Sequence, residues 1–132
     1  MSSSKSGRRR PLTRLEHLIM DWVWAHPACT ADAVRAGVAS QRPLKDSTIR
    51  TILRNLEDKG YVRHDVDGRT YVYRAVETPR NVAVHTAQQL IERFCDGSVE
   101  DFLVGLVDNQ VVDRKELKRL AEKIASRKGK KP

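Results

Sequence analysis

The chain has 132 residues, enough for one ordinary domain or for a small domain with an interaction appendage. At 39% hydrophobic and 32% charged it has a globular composition, and no apolar run is long enough to span a membrane. The net charge of +8 is carried by the two ends: Lys5, Arg8, Arg9 and Arg10 at one, Arg127, Lys128, Lys130 and Lys131 at the other, which leaves residues 11–124 neutral.

The opening stretch, MSSSKSGRRRP, is rich in Ser, Gly and Arg and has no apolar core of a secretory signal. Residues 1–11 are expected to form a disordered basic arm, either a solvated tail or a strap on phosphates or a minor groove. Cys29 and Cys95 stand far apart with no CxxC or Cys/His companion, so neither a disulfide framework nor a metal site is expected. The expected location is the cytoplasm.

Thr13 followed by Glu16 is a capping box. Leu15, Leu18, Ile19, Trp22 and Val23 then recur at helical spacing, so a first helix runs to about His26-Pro27. Trp22 and Trp24 are read as packing groups, because so apolar a helix has to be buried. Thr30 caps a second short helix with Ala33, Val34 and Val38 inside, and Ser40–Leu44 supplies a turn.

The segment from Leu44 to Tyr73 carries most of the information. A third helix starts at Lys45 or Asp46, buries Ile49, Ile52, Leu53 and Leu56 within about 100° of arc, and stops at Gly60, a helix C′ glycine. Its other face shows Ser47, Thr51, Arg54 and Asp58, flanked by Thr48, Arg50 and Asn55. Two alternating strands follow, Tyr61–Val66 and Arg69–Arg74, with Asp67-Gly68 as a type I′ hairpin turn. Arg69 falls at the hairpin tip, and His64 is expected to face solvent. Three helices and a hairpin in this order are a winged helix-turn-helix. Small hydroxyls at the leading end of the third helix allow close backbone approach, and Arg50 and Arg54 can reach guanine edges or phosphates. Residues 41–75 hold eight basic and five acidic side chains, whereas residues 90–124 hold six and eight. The positive excess lies on the module that would meet a duplex.

After Thr78-Pro79 come three amphipathic segments. Ala83, Ala87, Leu90, Ile91 and Phe94 form the first stripe, which Asp96-Gly97 ends. Ser98 caps the second, with Val99, Phe102, Leu103, Leu106 and Val107, and Asp113 caps the third, with Leu117, Leu120, Ala121 and Ile124. Some fifty residues with few aromatics bury such stripes poorly alone. A second copy of the chain would complete the core and supply two reading helices for a palindromic site. The alternative is that these helices pack back on the winged domain.

LEHLIMDWVW in the first helix, DSTIRTILRNLEDKGYV in the third, GRTYVYRAV in the hairpin and the three-helix tail resemble the penicillinase (β-lactamase) repressor family of BlaI, MecI and CopY, over about residues 12–125. The resemblance implies a homodimeric transcriptional repressor bound to an inverted-repeat DNA operator. Its contact positions fall on Lys45, Ser47, Thr48, Arg50 and Thr51, with Arg69 on the wing. It also implies induction through a membrane sensor with a zinc-protease domain, the repressor being cut in the dimerisation helices at an Asn-Phe bond. The corresponding bond here is Gly105-Leu106, which departs from that pattern. The copper-responsive branch ends in CxC cysteines, whereas this chain ends in SRKGKKP.

The expected architecture is therefore mainly α with a small β-hairpin: arm 1–11, winged helix-turn-helix 12–77, helical dimerisation domain 78–126 and basic tail 127–132. The expected dimer contacts are Leu90, Ile91, Phe94, Val99, Phe102, Leu103, Leu106, Leu117, Leu120 and Ile124. No nucleophile with its base, no HxH or HxxxH pair and no phosphate-cradling glycine loop occurs, so an enzyme is not expected, and neither a cofactor nor a metal is. Two alternatives stay open. One is a winged helix used for protein contact, which would favour an apolar or acidic third-helix face. The other is a DNA-binding regulator switched by a small-molecule effector.

Overall fold

The computed structural model describes residues 9–127. Its elements are α1 (Arg14–Ala25), α2 (Ala31–Val38), α3 (Asp46–Lys59), β1 (Val62–Asp67), β2 (Thr70–Ala75), α4 (Pro79–Phe94), α5 (Val99–Asp108) and α6 (Arg114–Ala125). Contacts divide the chain into two compact units that meet at residues 89 and 90, twelve residues beyond the boundary expected from the sequence. The difference arises at α4, whose beginning belongs to the first unit: Val82 packs against that unit's core and His85 bonds to Glu77.

The first unit is a winged helix-turn-helix. Thr13 accepts from the Glu16 amide while the Glu16 carboxylate accepts from the Thr13 amide, so both arms of the capping box are made. The Thr30 hydroxyl caps α2 in the same way, through the Ala33 amide. Gly60 ends α3 with φ of 90°, a left-handed conformation that costs glycine nothing. Apolar stripes of the three helices then converge: Ile19, Met20 and Val23 of α1, Val34 and Val38 of α2, Ile49, Ile52, Leu53 and Leu56 of α3. Tyr61, Val62 and Tyr73 close the core from the hairpin side. Each fully buried aliphatic side chain contributes about 1.5–3 kcal/mol. A single bridge between Cys29 and Tyr73, with amide bonds of 3.1 and 2.7 Å, ties the α1–α2 connection to β2.

Three sequence expectations are corrected in this unit. The hairpin is shifted by one residue: Asp67 pairs with Thr70 as the last rung, and Gly68-Arg69 make the turn. Only Gly68 of these two has positive φ (67°), which fits a type II′ turn and not the type I′ turn centred on Asp67-Gly68. His64 does not face open solvent; its surroundings are described with the site below.

The third correction concerns the arm, whose last residues are held. Arg9 donates to the Glu77 carboxylate at 2.9 Å and to the Gly60 carbonyl at 3.0 Å, and its guanidinium lies 5.3 Å from the centre of the Tyr61 ring. Its side chain is only 7% exposed. The Tyr61 hydroxyl donates to the Arg10 carbonyl, and Lys59 reaches both the Pro11 carbonyl and the buried Glu16 carboxylate, the latter at 2.7 Å. The remainder of the expected arm, residues 1–8, lies outside the described residues, as does most of the expected basic tail.

The second unit holds the end of α4 with α5 and α6. Ser98 and Asp113 cap α5 and α6 through the amides of Asp101 and Glu116. Asp96 and Gly97 turn the chain after α4 with φ of 55° and 82°. Among the described residues of this unit none is buried. Phe94 is 72% exposed and Ile124 64%.

Candidate nucleic-acid interface

The interface is built on α3. Because four of its fourteen residues are drawn into the core, the opposite side is fixed toward solvent. Lys45, Ser47, Arg50, Thr51 and Arg54 are exposed there and Thr48 is half-buried. Lys45 is the N-cap residue and makes no side-chain cap, so the first-turn amides and the positive end of the helix dipole have no capping acceptor. Arg50 bonds to Asp46 one turn earlier at 2.9 Å. That hydrogen bond and the Asp46 charge push the Arg50 pKa up.

The hairpin brings a second set of groups to the same place. Arg69 at its tip is exposed, and an open cleft is lined by Arg50 of α3, by Thr30 and Asp32 at the start of α2, and by Arg69, Thr70 and Tyr71 of the wing. Residues nineteen apart in sequence, Arg50 and Arg69, thus border one open, mostly polar cleft. Among the described residues no group of three or more His, Cys, Asp or Glu side chains could hold a metal ion.

Sequence reasoning did not find the contact that joins helix and wing. His64 Nδ1 lies 2.8 and 2.9 Å from the two oxygens of Glu57, and its ring stacks on Tyr71 at 4.0 Å with 10° between planes. Strand alternation holds the signal: His64 shares a strand face with the buried Val62, and its register partner is the buried Tyr73. Burial and the Glu57 charge push the Tyr73 phenol up, against the opposing charges of Arg50 and Arg54.

The penicillinase repressor family model matches residues 12–126, nearly the whole chain. The chain belongs to the penicillinase repressor family. Relatives within it are distant in sequence but similar in extent. The chain is 21% identical over 113 residues to the penicillinase repressor of Bacillus licheniformis, covering 86% of this chain and 88% of that protein. To the methicillin resistance regulatory protein MecI of Mammaliicoccus sciuri it is 19% identical over 109 residues, covering 83% and 89%. The solution structure of the DNA-binding domain of the repressor BlaI aligns at a TM-score of 0.51 and 23% identity, over 56% of this chain and 90% of that domain. The complex structure of hsRosR-S4 aligns at 0.50 and 18% identity, over 93% and 92%. These two likenesses fix the winged-helix fold.

Proposed function

We propose that this member of the penicillinase repressor family is a homodimeric transcriptional repressor that binds an inverted-repeat operator in double-stranded DNA. The observation that carries this reading is the cleft bordered by both Arg50 of α3 and Arg69 of the wing, with the small exposed Ser47 and Thr51 leaving α3 free to enter a groove. Arg50 and Arg54 read base edges, Arg69 and Lys45 engage phosphates, and Thr48 packs at the rim. The names of the relatives, a penicillinase repressor and a methicillin resistance regulator, support repression as the outcome.

Dimerisation is assigned to the tail, where the stripes of Leu90, Ile91, Phe94, Val99, Phe102, Leu103, Leu106, Leu117, Leu120 and Ile124 find no buried environment within the second unit. Release is assigned to proteolysis at Gly105-Leu106 by a membrane sensor protease or a protease it activates. This bond lies inside α5, where the Gly105 carbonyl accepts from both the amide and the side chain of Asn109, so cutting requires α5 to open.

The test is selection of genomic fragments with the purified protein at two salt concentrations. A short inverted repeat, recovered at both, is the expected result. Arg50→Ala should then weaken operator binding roughly ten- to a hundredfold while nonspecific binding changes little. Recovery of sequence-indifferent fragments only, lost at the higher salt, would overturn the reading in favour of a protein-contact module.

A further inference from the structure

The wing needs a support that its own two strands do not supply. A two-stranded hairpin is marginal by itself, and beyond Val62 every residue of β1 except His64 is exposed. His64 is therefore where the outer wing meets the helical layer. Its partner, Glu57, stands seven residues after Arg50 on α3, two turns along nearly the same line, with Arg54 between them. On its other side His64 stacks on Tyr71, which borders the cleft together with Arg50 and Arg69. Tyr73 approaches the imidazole at 5.8 Å from beneath, itself pinned to Cys29. One imidazole thus links the reading line of α3 to the strand that follows Arg69.

From this arrangement we infer that His64 is a positioning residue of the DNA interface: its bond to Glu57 and its stack on Tyr71 hold the wing where Arg69 and Arg50 can grip the same duplex. The inference rests on the DNA-binding reading given above. His64 need not touch DNA to act, and it is not a core residue whose loss leaves a cavity, since its side chain and that of Glu57 are 28% and 32% exposed.

The experiment is a double-mutant cycle on the full chain, read by fluorescence anisotropy with the selected operator duplex. His64→Ala should weaken binding about tenfold when Arg69 is present and less than about twofold in the Arg69→Ala background, because the wing's contact is already gone. Equal effects in both backgrounds would overturn the inference. Glu57→Ala breaks the same contact without freeing a carboxylate, and it too should speed amide exchange over residues 70–75. Unchanged exchange there in Glu57→Ala would overturn the latch. Amide exchange in free protein gives a readout independent of DNA. Residues 70–75 should exchange at least about tenfold faster in His64→Ala, with the α1 amides unchanged. Unchanged wing exchange overturns the latch even if no operator exists, whereas faster wing exchange with no specific duplex binding would overturn only the DNA-binding reading.

Discussion

Gly37 lies in the last turn of α2 with the ring of Trp22 against it. A Cβ built there would stand 2.0 Å from Trp22 Nε1 and 2.1 Å from Cε2. The Trp22 indole is itself held by a stack on His26 at 3.6 Å, which it would give up on retreating. Alanine normally favours a helix over glycine by about 1 kcal/mol, but overpacking of this kind costs about 1–3 kcal/mol. Gly37→Ala is therefore expected to lower the stability of the winged unit, checked by denaturant unfolding. A variant as stable as the parent would show that the indole does not rest on Gly37. The sequence marks Trp22 as a packing group, yet nothing in it says that the partner is a glycine on the next helix. His64 is a similar case. Its place on the inner strand face follows from alternation, but Glu57 as its partner depends on the angle at which the hairpin meets α3.

At the scale of elements, the helices were legible because their signals are local. Thr13 with Glu16, Thr30, Ser98 and Asp113 each sit three residues before the amide that they accept from. The hairpin slipped by one residue because Asp-Gly is also compatible with a turn in which glycine alone takes positive φ. The tie between Arg9 and Glu77 was illegible, since it spans 68 residues and the arm reads as solvated by composition. That tie carries a pH dependence. The Arg9 hydrogen bond and charge, with His85 adding to them, hold the Glu77 carboxyl below the usual range. At Glu16 burial pushes upward, but the bonds from Lys59 and Thr13 outweigh it and the net shift is also downward. Carboxyls depressed in the folded state stabilise it fully above their unfolded pKa, and that stability is lost as pH falls through the folded values. Thermal midpoints should hold steady down to the ordinary glutamate range and fall below it. In Glu77→Gln the neutral-pH midpoint should be lower and the acid fall smaller. An unaltered acid fall would remove Glu77 from the transition.

At the scale of the whole molecule, one unit holds a dense core and in the other no described residue is buried. Leu103, at 41% exposed on α5, lies among the stripes assigned to the dimer. Leu103→Asp is expected to shift the protein from dimer to monomer in sedimentation equilibrium, because a carboxylate in an apolar contact is strongly disfavoured. A dimer of unchanged strength would exclude α5 from the interface. The winged architecture was readable from the order of helices and turn, whereas the covering of the tail was not, because its stripes are amphipathic without showing what they face. The separation of the units has an optical counterpart. Trp22, Trp24, Tyr61, Tyr71 and Tyr73 are all the tryptophans and tyrosines of the chain, and every one precedes residue 90. Near-ultraviolet absorbance and intrinsic emission therefore come almost wholly from the winged unit, while far-ultraviolet dichroism weighs the helices of both. A melt followed by the two spectroscopies on one sample resolves the units without any label, and emission alone would miss the unravelling of the tail.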